Sequence, residues 1–333
     1  MKRTALVFMV LVFCCAVLFA SGGKEAAAAS GKLKVALLLS GPANDQGWNA
    51  VAFEGLKAAE AKYGLETAYT EYVGIADGEA AFTDYASQGF DLVIGHGFQF
   101  GDPAVRVSAK FPKTNFMAIE SSVYSKNAAS YVMACEEAAY LMGILSASMS
   151  KTGKIGMVGG FEQPSIIKVV EAYKLGAKLV NPNITVYEVY ISSFTDVALG
   201  KEAAISMADR GADVLSHVAN QAGTGVIKAA EERGLLATGD SYDQNFIAPN
   251  TVIGSTIYSV PMLVLNAVEK VKNNNFVGGV FFLGMKEGVI DISGYNSFES
   301  KIPEATKKLI ADTKASILNG SFTVPLIETR SGK

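Results

Sequence analysis

Two histidines are all that this chain of 333 residues contains, and both close a short apolar run: GFDLVIGH (Gly89 to His96) and GADVLSH (Gly211 to His217). Each run begins with a helix-ending glycine followed by an aspartate, so the two stretches echo each other, one residue out of step. One histidine per run, with no thiol or carboxylate cluster beside it, is a poor start for a metal site. His96 and His217 are read as polar strand ends that border a ligand, or simply as loop residues. Dehydrogenase chemistry fares no better: Gly95-His-Gly-Phe-Gln-Phe-Gly101 has one residue too many before its third glycine and follows the third strand, not the first. No Gly-x-Ser-x-Gly elbow accompanies the histidines, which excludes that route to a hydrolase. The residues suit binding better than catalysis: no enzyme, no cofactor and no metal are expected.

The elements that carry these residues alternate strictly. KVALLL (Lys34 to Leu39) is a buried-strand run, and Ala50 to Tyr63 has apolar residues at helical spacing. Strand, helix, strand, helix and strand follow at 67–72, 79–88, 91–94, 104–111 and 115–119. The series restarts at Lys154 (KIGMV) and runs through helix 166–180, strand 185–190, helix 198–210, strand 213–215, helix 225–233 and strand 235–238. Alternation of this kind predicts parallel sheets flanked by helices. Two such α/β lobes facing each other place the carboxyl ends of their strands at one cleft, where open sheets bind ligands.

Bulk composition supports an exported, globular chain. Half of the residues are hydrophobic and 18% are charged, which excludes disorder. The net charge of -3 gives no sign of a nucleic-acid partner. Lys2 and Arg3 precede an uncharged run from Ala5 to Ala20, then Ser21, Gly22 and Gly23, the pattern of a signal peptide. Cys14 and Cys15 fall inside that run, and Phe13 is too large to precede an acylated cysteine, so a periplasmic protein is expected, a lipid tether being the alternative. Cys135 is then the one body cysteine and forms no internal disulfide.

Gly41-Pro-Ala-Asn-Asp-Gln-Gly-Trp-Asn49, followed by Phe53-Glu-Gly-Leu56, resembles the opening motif of the basic membrane protein family of ABC-transporter binding proteins. The resemblance continues through Gly95 to Phe116, Glu136 to Gly160, Ser193 to Ala204, Gly211 to Ala230, Gly239 to Gln244, Gly284 to Ser293 and Asn319 to Pro325. It implies a type I periplasmic binding protein: two Rossmann-like α/β lobes with parallel sheets, joined by crossover strands. Residues 31–150 with about 259–287 would form the first lobe, and 151–258 with about 288–333 the second, after a leader over 1–30. It also implies a monomer that closes by hinge motion on a purine nucleoside or nucleobase and delivers it to an inner-membrane permease. Riboflavin or another flat heterocycle is an alternative ligand, and sensing an alternative to transport.

A purine needs aromatic plates and a few aimed polar groups. The resemblance puts Phe53 and Phe194 in the stacking role; Phe53 also fits ordinary helix packing. Trp48, the single tryptophan, either stacks or anchors its loop. Asn44, Asp45 and Asn49 occupy the ligand-contacting loop, where capping a helix is the other role open to them. Glu120 ends the fourth strand, where the family often carries an aspartate for the purine edge. Phe98, Asn220, Asp240, Asp243 and Tyr258 complete the set, with Gly223 offering a bare backbone N–H. Two departures stand out: the ribose-binding aspartate position falls on Ser241 unless the loop brings Asp240 in, and Gly254-Ser-Thr-Ile-Tyr258 lacks the family's lysine. Lys286 is a distant substitute, more at home in solvent.

Overall fold

The computed structural model describes residues 31–331. The run from Ala5 to Ala20 that reads as a signal peptide, with Cys14 and Cys15, lies outside the described residues. Two six-stranded sheets form, each with the same winding. The first orders its strands β11-β5-β4-β3-β1-β2 and the second β12-β10-β9-β8-β6-β7. Every pairing is parallel except β12 on β10.

In the first sheet β1 (Lys34–Leu39) lies inside the sheet, between the edge strand β2 (Glu66–Thr70) and β3 (Leu92–His96). Five of the six β1 residues are buried because helices cover both faces, which explains the unbroken apolar run. Val35, Leu37 and Leu39 enter one core layer, Ala36 and Leu38 the other. Helix α1 (Trp48–Tyr63) follows β1 and ends at Gly64, whose left-handed φ of 65° lets its N–H reach the Glu60 carbonyl. Helices α2 (Gly78–Ser87) and α3 (Gly101–Ser108) flank β3, and β4 (Asn115–Ile119) and β5 (Ala128–Met133) extend the sheet.

The chain then changes lobes. Helix α4 (Cys135–Met149) packs on α5 (Pro164–Val180) and on the second sheet, so the crossing comes at Ala134, before the helix and not after it as the restart at Lys154 suggests. That sheet continues with β6 (Lys154–Gly159), β7 (Thr185–Tyr190), α6 (Val197–Asp209), β8 (Val214–Val218), α7 (Gly223–Glu232), β9 (Leu236–Gly239) and β10 (Val252–Tyr258). Helix α8 (Val260–Lys272) returns to pack on α1, β11 (Gly279–Leu283) joins the first sheet, and β12 (Ile290–Ile292) and α9 (Glu304–Leu318) end in the second. The three crossings are tied together: Ala134 N–H donates to the Leu283 carbonyl (2.8 Å), Ser259 N–H to Val289 (2.7 Å), and Met285 N–H to Glu137 Oε2 (2.7 Å).

The echo between the two histidine segments is structural. Gly89 and Gly211 (φ 76° and 95°) end α2 and α6, and β3 and β8 occupy the same place in their sheets. The one-residue slip reverses the side chains, since strand residues alternate faces. His96 therefore points with Ile94 toward one core layer, whereas His217 points with Leu215 toward the other. The pair never meets.

Candidate functional site

Loops at the carboxyl ends of both sheets enclose about 480 Å³ of atom-free space, part of it open to solvent. The first lobe contributes Ser40 after β1, Trp48 at the start of α1, Gly97 to Gln99 after β3, and Glu120 after β4. Facing them are Gln163 just before α5, Ser165, Ile166 and Val169 on α5, Phe194 after β7, Asn220 after β8, Asp240 after β9, and Tyr258 ending β10.

Trp48 is placed by Asp45. That buried carboxylate accepts from the N–H groups of Gly47 (3.0 Å), Asn49 (2.9 Å) and Ala50 (2.9 Å), and from Asn49 Nδ2 (2.8 Å). The first α1 donors are thereby satisfied and the loop is fixed. Burial pushes the Asp45 carboxyl up, and the four donors offset only part of that rise. Trp48 then stacks on His96, with ring centroids 4.0 Å apart and planes at 21°, and meets the edge of Tyr258 at 6.3 Å. His96 Nε2–H donates to the Trp48 carbonyl (2.8 Å), so one histidine supports both backbone and ring of the tryptophan. Full burial holds His96 neutral, its pKa lowered to about 3.

Two carboxylates face the cavity. Glu120, in a left-handed conformation (φ 60°), accepts from Met133 N–H (2.7 Å) and pairs with Lys168 of α5 (2.9 Å). Asp240 accepts from Thr256 Oγ1 (2.9 Å) and Tyr258 OH (3.0 Å) on Oδ1, and from Ser241 Oγ (2.8 Å) on Oδ2. The loop thus presents Asp240 to the cavity, and Ser241 serves it from behind. Burial, with Asp240 close by, pushes the Tyr258 hydroxyl well up, so it stays a donor.

On the opposite wall Phe194 is braced by Phe161 at 4.9 Å, and Asp196 caps α6 by accepting from Ala198 and Leu199 N–H. Gln244 links the lobes. Its Oε1 accepts from Asp240 N–H (2.9 Å) and His217 Nε2–H (3.0 Å), while its Nε2 donates to the Gln46 carbonyl of the first lobe (2.9 Å). Burial lowers the His217 pKa, keeping that ring neutral too.

Several expected residues stand elsewhere. Phe53 does not line the cavity; it tilts against Tyr69 (4.9 Å) on the flank of α1, because its place in the helical stripe turns it toward β2. Asn44 is solvent-exposed. Asn49 is buried in the Asp45 cap. Asp243 caps a 3-10 turn through Asn245 N–H (3.2 Å) and meets Asn296 outside the cleft. Gly223 is bare for a different reason from ligand approach: a Cβ there would fall 1.9 Å from His217 Nδ1. His96 and His217 stand behind the walls, and Lys286 is exposed.

Sequence reasoning overlooked Ser40, Gln99, Gln163, Ser165, Cys135, Lys168 and Gln244. Ser40 directly follows the β1 run and Gln163-Pro-Ser165 opens a helix after β6, so strand-end position was the available signal. Cys135 is a free, buried thiol on the cavity wall, pushed well up by burial and by the neighbouring Glu120.

Comparison with known proteins agrees with this architecture. The family described as Bmp, ABC transporter substrate-binding protein PnrA-like, matches residues 32–328. An ABC transporter nucleoside-binding protein, BmpA, of Lactococcus lactis is 31% identical over 97% of this chain and 99% of the relative. A purine-binding protein of Brucella abortus is 29% identical over 92% of this chain and 87% of its own. An ABC transporter solute-binding protein from Aeropyrum pernix K1 superimposes with a TM-score of 0.82 at 24% identity, covering 89% of this chain and 94% of that one, and shares the type I periplasmic binding protein fold. This chain belongs to the Bmp family of ABC transporter substrate-binding proteins, which capture a small molecule outside the cytoplasm for a membrane permease.

Proposed function

We propose that the cleft binds a purine nucleoside or nucleobase and that the lobes close on it by rotation about the three crossings. The observation that carries this reading is the pairing of Trp48 from one lobe with Phe194 from the other on a single cavity that also presents two carboxylates. Flat apolar walls suit a heterocycle, and carboxylates suit its N–H and O–H donors. No lysine or arginine lines the cavity among the described residues, which disfavours a phosphorylated ligand. The names of the Lactococcus and Brucella relatives point the same way.

One observation favours the free base over the nucleoside. Three hydroxyls already occupy Asp240, and a carboxylate offers about four lone-pair sites. Little acceptor capacity is left for a ribose diol. Native mass spectrometry of the protein as purified, then calorimetry with guanosine, adenosine, guanine, adenine, riboflavin and guanosine monophosphate, separates these readings. A purine should bind, and the monophosphate should bind about 100-fold more weakly than guanosine, as like charges are driven together. Binding of no purine removes the reading and leaves the fold untouched.

A further inference from the structure

Lys168 is a charged residue for which simple recognition has no use. It stands on α5 among Ile166, Ile167, Val169 and Val170, and is 2% exposed. Its Nζ lies 2.9 Å from Glu120 Oε2, donates to the Met133 carbonyl at 2.6 Å, and is 3.7 Å from Glu136 Oε2. Glu120 Oε1 takes the Met133 N–H, so lysine and glutamate hold the two ends of the chain around Met133 together. Glu120 faces the ligand cavity, whereas Lys168 lines only the neighbouring space on its far side.

A buried carboxylate without a counter-charge takes up a proton, and a protonated carboxyl exchanges an acceptor for a donor. Glu136 illustrates the first half: burial raises its carboxyl even with Lys168 nearby, and its Oε2 has no hydrogen-bond partner. Glu120 has the closer ammonium and the Met133 N–H. The charged and titratable groups around the Glu120–Lys168 pair are Cys135 and Glu136 from α4, with Asp240 beyond β9 next to Cys135. Lys168 is the one cation of the cluster.

We propose that Lys168 is a positioning residue for ligand selection: from the second lobe it holds Glu120 ionised and oriented, so that this wall accepts a ligand N–H and rejects a ligand acceptor. The proposal rests on the purine reading for the ligand's identity, but its core concerns Glu120 alone.

The test is carbon-13 NMR of glutamate-labelled full-length protein, with the Glu120 carboxyl assigned by its loss in E120Q, alongside calorimetry with guanosine or guanine, whichever binds more tightly. In the native protein the Glu120 signal should stay at its carboxylate position between pH 8 and 5.5 (roughly the window a buried, unpaired glutamate would enter). In K168M it should titrate within that window, and affinity should fall about tenfold per pH unit below the new midpoint. K168R should restore the flat profile. Should K168M not fold, K168Q removes the charge while keeping donors toward Glu120 and Met133, and carries the same expectation. A Glu120 signal that behaves alike with and without the charge overturns the proposal, as does pH-independent binding by the uncharged variant. Failure of every purine to bind the native protein is a separate result: it sinks the ligand reading, and the NMR arm still decides the role of Lys168.

Discussion

Replacing Gly176 with alanine should destabilise the protein, although alanine is the better helix former by about 1 kcal/mol. Helices α4 and α5 meet at Gly143 and Gly176 without side chains between them. A Cβ on Gly176 would lie 1.9 Å from the Tyr140 carbonyl oxygen, and one on Gly143 would lie 2.1 Å from that of Tyr173. A carbon–oxygen contact relaxes at about 3.3 Å, so the helices must part by about 1.4 Å for G176A. Both obstacles are backbone, which cannot swing aside as a flexible side chain does. Overpacking of this kind costs about 1–3 kcal/mol, and the rigid contact argues for the upper half. Urea unfolding followed by circular dichroism should show a lower midpoint at unchanged m-value. One separation of the helices relieves both clashes, so G143A/G176A should cost about 1 kcal/mol less than the two single changes summed. Because α5 brings Gln163, Ser165, Ile166 and Val169 to the cavity, ligand affinity should fall with stability. A midpoint equal to or above wild type for G176A, or strict additivity in the double variant, refutes this account of the contact.

Two further outcomes follow from the geometry. Trp48→Ala should weaken the best purine by about 1–3 kcal/mol in calorimetry, from lost stacking and lost apolar contact, whereas Phe53→Ala should leave affinity unchanged; equal effects at both positions would return Phe53 to the cleft. His96 is neutral with its pKa near 3, below its unfolded value of about 6.5, so the unfolded chain binds the extra proton between those limits. Stability from this group is therefore full above about pH 6.5 and declines as pH falls toward 3, by about 2 kcal/mol at pH 5. His217 shifts in the same direction. Urea midpoints at pH 7.5 and 5 should differ accordingly, and His96→Asn should reduce the difference.

The alternating core was legible in the sequence because each buried strand is a short apolar run bounded by a helix of clear period. Helix α4 was not, since eleven of its fifteen residues are buried and no polar face marks its orientation; its allegiance to the second lobe depends on the Gly143–Gly176 contact. The family resemblance, together with position at strand ends, singled out Trp48, Phe98, Glu120, Phe194, Asn220, Asp240 and Tyr258, and these residues line one cavity. Phe53 shows the limit of that signal, because its motif neighbours reach the cavity while its own bearing on α1 carries it away. Lys168 was hidden for another reason. A lone lysine in a helical apolar stretch reads as a solvated residue, and the carboxylates that allow its burial come from segments far upstream. The glycines at 95, 143, 176 and 223 likewise give no sequence hint of the ring or carbonyl that fills their missing side-chain space.

Gln244 joins the lobes through an uncharged amide. Its bond to the Gln46 carbonyl is a dipole contact, and the Lys168–Glu120 pair is shielded from ions by its burial. Counter-ions screen exposed charges over about 8 Å at physiological strength but have little purchase on either contact. These two links between the halves are consequently insensitive to salinity, a useful property for a binding protein working beyond the cytoplasm, where the cell does not regulate the surrounding electrolyte.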